Sequence, residues 1–224
     1  MIKVVNKKRK IERIKDAFPN AFIFDVTSSS PDDEGRLLSP FYPHRGIPIP
    51  GDSHGMTATC VEAIWQGLKV FEGEDIDVSL FQNDSMKNIK RTVRKNGKPL
   101  GHKYGVFSSK LLSYADARRY IYVPSYLWVL EHVPAVQKVL EFIKEKSRQM
   151  DVVLLDYNVN PDNRDISKPL SHAELIKMYL EDRYPSKDED FIPYSADELK
   201  KKKKSHTRKK KPQIKEMELF DQKD

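Results

Sequence analysis

Cysteine is almost absent: Cys60 is the single one in 224 residues. An internal disulfide framework is thereby excluded, and a reducing compartment is the expectation. No Cys/His cluster has zinc-ligand spacing, so no metal site is predicted. No stretch approaches the roughly 18 consecutive apolar residues of a membrane helix, and residues 1–15 are charged rather than apolar. Internal repeats are missing as well. What these absences leave is a chain read as soluble, intracellular and cytoplasmic, long enough for one ordinary domain and too short for a second full one.

Charge is plentiful but unevenly placed. The formal net charge is +7. Residues 200–224 carry eleven Lys/Arg against four Asp/Glu, and residues 1–16 carry seven against two. The two ends therefore hold +7 and +5 of a total of +7, which leaves −5 on the body. An acidic body is not a general nucleic-acid clamp, although two basic ends draw the chain toward polyanions.

The chain divides into a basic segment over 1–19, a folded domain over 20–184 and a lysine-rich tail over 185–224. The tail has too little apolar side chain to offset its ordering entropy, so it is expected to lack structure. Residues 21–27, rich in β-branched and aromatic types, read as a strand, and 152–155 as a short buried one. Four prolines between Pro40 and Pro50 forbid helix there. Helices are predicted over 59–71, 83–95, 114–122 with a break before Pro124, 126–131, 134–148 and 171–183. Helices outnumber strands, and the strands lie far apart in sequence. The prediction is an α+β fold: a helix-rich single domain with a small β-sheet.

The segment 59–71 carries the most information. As a helix it puts Val61, Ile64, Trp65, Leu68 and Phe71 on a core stripe and Glu62, Gln66 and Lys69 on another face. Two explanations of Glu62 stand side by side. Thr59-x-x-Glu62 fits a capping box, with Lys69 a solvated residue favoured by the helix dipole. Alternatively the carboxylate, the amide and the amine face a ligand beside Trp65, with Phe41-Tyr42-Pro43-His44 as a stiffened wall. Gly67 favours the second, since a mid-helix glycine costs about 1 kcal/mol and is explained by close approach of a neighbour or ligand.

A second pattern concerns binding. Lys87, Lys90, Arg91, Arg94, Lys95 and Lys98 fall on one stripe of the helix predicted over 83–95, with no acidic partner at helical spacing. Such a stripe is a solvated face or a surface for phosphate, of a nucleic acid or of a pyrophosphate ligand; the second is favoured, with Arg118 and Arg119 extending it. Of the histidines, His172 stands out, because Ser171 can cap the last helix. An imidazole at that positively polarised start should be neutral and available to hydrogen-bond a substrate.

Together, Ser39-Pro-Phe-Tyr-Pro43 and Val61-Glu-Ala-Ile-Trp-Gln-Gly-Leu-Lys-Val-Phe71 resemble the opening pattern of the NADAR superfamily, an S-N-F-Y-P segment followed by a V-E-H-x-x-Q-A-x-K-F helix. Asp165-Ile-Ser-Lys-Pro-Leu-Ser-His-Ala-Glu-Leu-Ile176 resembles the closing part of that pattern more loosely. Ala63 stands where the pattern has histidine, Pro40 where it has asparagine, and the later tryptophan-glycine pair is missing. The resemblance spans residues 20–183.

It implies cleavage of an N-glycosidic bond, either that of ADP-ribose on guanine in nucleic acid, in an antitoxin-like or counter-defence role, or that of a phosphoribosylated riboflavin-pathway intermediate. Glu62 and Lys69 match its motif residues, with Tyr42, Trp65, Gln66 and His172 toward the substrate. The second acid is Asp165 or Asp156. Two carboxylates suffice for an oxocarbenium-like transition state, and Lys69 offers a Schiff-base alternative; neither route calls for a metal or a cofactor. The rival class is a nucleic-acid-binding protein without catalysis. Partners are thus a modified nucleic acid or a ribosyl-phosphate small molecule and no membrane, with the oligomeric state unassigned.

Overall fold

A computed structural model describes residues 1–186 and 192–201. In chain order its elements are β1 (Ile2–Asn6), α1 (Ile11–Ala17), β2 (Phe22–Asp25), α2 (Asp33–Leu37), β3 (Ile47–Pro48), β4 (Thr57–Ala58), α3 (Val61–Gly67), β5 (Lys69–Val70), a 3₁₀ helix (Val78–Gln82), α4 (Val93–Asn96), β6 (Gly101–Lys103), β7 (Leu111–Leu112), α5 (Tyr114–Ala117), a π-helical turn (Arg118–Tyr122), α6 (Val123–His132), α7 (Pro134–Gln149), β8 (Val152–Asp156) and α8 (His172–Leu180). Most of the lysine-rich tail, 187–191 and 202–224, lies outside the described residues.

Five consecutive residues, Val152 to Asp156, are buried, which an apolar run can sustain only when both faces of its strand are covered. β8 is accordingly the centre of a parallel sheet of order β1-β8-β2, with Ile2 opposite Val152, Asn6 opposite Asp156 and Phe22 opposite Val152. Its side chains alternate between two cores, as the period of two requires. Val153 and Leu155 join Val5 and Ile14 beneath α1. Val152 and Leu154 join the larger core, in which α7 buries Val136, Val139, Leu140 and Ile143. Two small antiparallel sheets, β3-β4 and β5-β6-β7, complete an α+β domain. Among the described residues no helix is long and apolar enough to cross a membrane.

The structure corrects four expectations. The basic segment 1–19 is not separate: Ile2–Asn6 is an edge strand of the parallel sheet, with Ile2 and Val5 buried in its two cores and Lys3 half-buried. The helix expected over 59–71 ends at Gly67, and Lys69 belongs to β5, paired with His102. The helix expected over 83–95 shrinks to Val93–Asn96. Its N-terminal half is loop because Ile89 is drawn into the core, the Thr59 hydroxyl bonds the Asn83 carbonyl at 2.5 Å, and Asn83 Nδ2 turns back to the Lys87 carbonyl at 3.0 Å. Finally, Pro124 does not break its helix. The π-helical turn Arg118–Tyr122 precedes it and absorbs the missing N–H, so the chain is helical from Tyr114 to His132.

Candidate active site

A cavity of about 460 Å³ opens at the carboxyl end of the parallel sheet, where Asp156, Tyr157 and Asn158 leave β8 and Thr27 and Ser28 follow β2. Crevices outside the carboxyl ends of parallel strands are where such sheets bind ligands. The remaining walls come from four other places: Ser39, Pro40 and Phe41 before α3, Glu62, Trp65 and Gln66 on it, Tyr114, Arg118 and Tyr122 on the long helical stretch, and His172 on α8. Lys69 and Lys90 also reach in.

Glu62 is not a capping residue. Cys60 caps α3, its Sγ accepting from the Ala63 N–H at 3.3 Å. The Glu62 backbone N–H instead donates to the Pro40 carbonyl at 2.9 Å, which fastens the proline-rich turn to the helix start. The Glu62 side chain, buried, accepts at Oε1 from Gln66 Nε2 at 2.6 Å. The orientation of that amide is fixed independently: Gln66 Oε1 faces the Arg91 backbone N–H at 3.0 Å, an obligate donor, and the Lys69 ammonium at 2.7 Å. Gln66 thus links the acid and the amine, which form no ion pair with each other.

Burial pushes the Glu62 pKa above the usual 4.5 despite the pull of Gln66, Lys69, Lys90 and His172. Burial also pushes Lys69 below 10.5, with Glu62 opposing and Arg91 and Lys90 assisting. Both neutral forms are favoured. Gly67 owes its place to packing: an added Cβ would strike the Phe81 ring and lie 3.0 Å from the Asp77 carbonyl oxygen.

Opposite stands Asp156, only 3 % exposed. Its Oδ2 accepts from Ser171 Oγ at 2.7 Å, lies 3.1 Å from His172 Nδ1, and meets the Ala173 N–H at 3.4 Å. Oδ1 has only the Asn158 N–H, at 3.5 Å. Burial works to raise the Asp156 pKa, but the adjacent His172 charge and these donors outweigh it and bring it down to about 2. His172 is correspondingly raised: burial opposes the charge, and the Asp156 carboxylate overrides burial. The neutral state expected from the helix start is not what its neighbours favour, although His172 does line the cavity as expected. The helix-start dipole disfavours its cation, but a carboxylate at 3.1 Å is the stronger neighbour, and its other nitrogen is taken by the Val26 carbonyl at 2.8 Å.

Of the other residues singled out in the sequence, Trp65 and Gln66 line the cavity and Tyr42 does not; its ring packs against His44 at 4.9 Å. Phe41 takes the wall instead. Trp65 stacks on His102 at 4.0 Å and stands edge-on to Tyr114 and Tyr122, both at 5.7 Å. Asp165 is outside the cavity: its Oδ1 accepts from the Ser167 N–H and hydroxyl within its own loop, and its carbonyl is held by Arg118 and Asn160. The choice between the two aspartates thus falls on Asp156.

The basic stripe dissolves with its helix. Arg91 bonds the Lys69 and Asp75 carbonyls and pairs with Glu74 at 3.2 Å, an acidic partner from a distant part of the chain. Lys90 alone of the set lines the cavity, its ammonium 5.1 Å over the Phe41 ring. Lys87, Arg94, Lys95 and Lys98 lie outside it. Arg118 is no surface residue either, being 1 % exposed and bonded to three carbonyls of the 163–168 loop and to the Tyr114 hydroxyl.

Sequence reasoning missed Tyr122 and the partnership of Ser171 with Asp156. The i, i+4 recurrence of Tyr114, Arg118 and Tyr122 was available as a signal for a shared wall; the contact of Ser171 with a strand fifteen residues away was not. Chemically, the cavity is lined by one carboxyl shifted toward its protonated form and one shifted toward its ionised form, the arrangement that separates acid from base. It also holds two lysines, Lys69 and Lys90, and five aromatic rings, those of Phe41, Trp65, Tyr114, Tyr122 and Tyr157. No curated protein matches the chain at a significant level. The model of a family of unknown function, DUF6939, matches residues 6–176, and the chain belongs to that family.

Proposed function

We propose that the chain is an N-glycosidase that removes ADP-ribose from guanine bases, in the manner of the NADAR superfamily its motifs resemble. The observation that carries this reading is the convergence of Glu62, Lys69 and Asp156, from α3, β5 and β8, on one cavity. Glu62, favouring its protonated form, donates to the leaving base; Asp156, ionised, stabilises positive charge at C1′ or activates water. Lys69, held through Gln66, keeps open the alternative in which its amine adds to C1 of the opened ribose. Trp65 and Phe41 offer flat apolar faces for a base. Lys90 and Arg118, beyond the self-neutralising Asp156–His172 pair, favour a ligand carrying phosphate. In nucleic acid the base would enter flipped out, since the cavity has the size of a nucleotide and not of a duplex.

The dispersal of the basic stripe favours a second reading, the same chemistry on a phosphoribosylated riboflavin-pathway intermediate, because those residues no longer form one helical face that could follow a nucleic-acid strand. Purified protein is incubated with ADP-ribosylated guanine DNA and, separately, with the phosphoribosyl compound. Release of ADP-ribose, lost in Glu62→Gln and impaired in Lys69→Ala, is the expected result. Turnover of the second substrate alone moves the assignment to it. Full activity in both variants would overturn the roles of the two residues, and binding of unmodified DNA without any turnover would favour a non-catalytic binding protein.

A further inference from the structure

His172 lines the cavity, but both its ring nitrogens are held by the protein, and those contacts say what it does. Its Nε2 meets the Val26 carbonyl, which can only accept, so Nε2 carries a proton. Its Nδ1 faces Asp156 Oδ2 at 3.1 Å. One further proton must therefore lie between Nδ1 and Oδ2, since two lone pairs would otherwise oppose each other. The pair is neutral overall. Because Nε2 is committed to a backbone carbonyl, the imidazole has no second nitrogen with which to pass that proton to a ligand. It differs in this from the histidine of a nucleophile-activating triad, whose other nitrogen is left for the reacting group.

We infer that His172, with Ser171, is a positioning residue: the turn at the start of α8 holds Asp156 by Oδ2 and leaves Oδ1, with only the long contact from the Asn158 N–H, for the cavity. Ser171 Oγ donates to Oδ2 and simultaneously accepts the Glu174 N–H at 3.2 Å, so the hydroxyl rotor is fixed. Val26 anchors the imidazole from the end of β2, which means that three elements, β2, β8 and α8, set one carboxylate. This inference rests on the glycosidase reading for the reaction it serves, but the proton arrangement is testable without it.

The first measurement is ¹⁵N NMR of histidine-labelled protein at neutral pH. The expected result is an imidazolium at His172, converted to the neutral Nε2–H form in Asp156→Asn; a neutral His172 in the unaltered protein overturns the inference. The second compares two amides. Asn places a nitrogen near the position of Nδ1, Gln near that of Nε2. His172→Asn should keep kcat within about threefold, while His172→Gln should lower it about 100-fold at little-changed KM, the scale of a misplacement of about 1 Å. A histidine acting only as a clasp to Val26 gives the reverse order, which overturns the inference.

Ser171→Ala removes one donor from the same oxygen. It should lower kcat and move the acid limb of the pH profile upward, because fewer donors favour protonated Asp156; an unchanged limb counts against the inference. The other titratable groups around the pair are Glu62 on α3, Glu174 on α8, Tyr122 and Tyr126 on the helical stretch, and Asp25 on β2. None of them is altered by these variants. If the unaltered protein releases no base from any substrate, the glycosidase reading falls and the NMR result alone decides the proton arrangement.

Discussion

Glu62 and Asp156 are both buried carboxyls on one cavity, yet one is pushed above the usual carboxylate range and the other well below it. Burial pushes both upward; at Asp156 the adjacent His172 charge and the hydrogen-bond donors outweigh it, and at Glu62 the opposing neighbours do not. Glu62 accepts one amide N–H, whereas Asp156 Oδ2 gathers a hydroxyl, an imidazolium and a backbone N–H. A carboxylate surrounded by donors and beside a cation is held toward its charged form in a low-dielectric site; one with a single neutral donor is shifted toward its protonated form.

The largest expected effect comes from breaking either side of that comparison. Glu62→Gln and Asp156→Asn should each lower kcat by about 10³-fold, or ~4 kcal/mol, within the range for lost acid or base catalysis. The pH profile separates them. An acid works protonated, so kcat of the unaltered protein should fall as pH rises through the elevated pKa of Glu62, above 4.5. Asp156→Asn keeps that falling limb and Glu62→Gln loses it; a limb that survives in Glu62→Gln assigns the acid elsewhere.

A smaller effect is on stability. The Asp156 pKa is depressed, so its contribution is present above the unfolded value of 3.8 and is lost as pH falls toward 2. By linkage this amounts to about 2 kcal/mol. Urea unfolding between pH 5 and 2 should show that loss in the unaltered protein and lack it in Asp156→Asn. His172 runs the other way: its raised pKa contributes below 6.5 and is lost as pH rises through the folded value.

The smallest effects sharpen the boundary of the site. Tyr42→Phe and Asp165→Asn should each leave kcat/KM within about twofold, under ~0.5 kcal/mol, since neither side chain reaches the cavity. A tenfold loss in Asp165→Asn would return the second acid to the loop that the resemblance indicated.

The two sides of the site also differed in how far they could be read from the chain. Glu62, Trp65 and Gln66 lie on one helix and Lys69 two residues beyond it, so a spacing of three and four residues brings them together by local geometry. They were legible even though the helix ends earlier than its pattern implies. β8, α7 and α8 were equally legible, because apolar run length, a 3.6-residue stripe and a serine cap are local signals. β1 was hidden because its few apolar residues, Ile2, Val4 and Val5, stand beside Lys3 and the basic run 7–10. The helix over 83–95 was misread because Ile89 and Arg91 have distant partners, a core and Glu74, that outweigh helix propensity.

The sequence alone determined the α+β class, the central buried strand and the grouping of Glu62, Gln66 and Lys69, all consequences of short-range periodicity. Only the tertiary structure decided that Asp156 and not Asp165 lines their cavity, that both nitrogens of His172 are committed to protein partners, and that the basic residues disperse. Each of those depends on groups brought together by folding from distant parts of the chain, and the balance between burial and hydrogen-bond donors that sets a charge exists only once they have met.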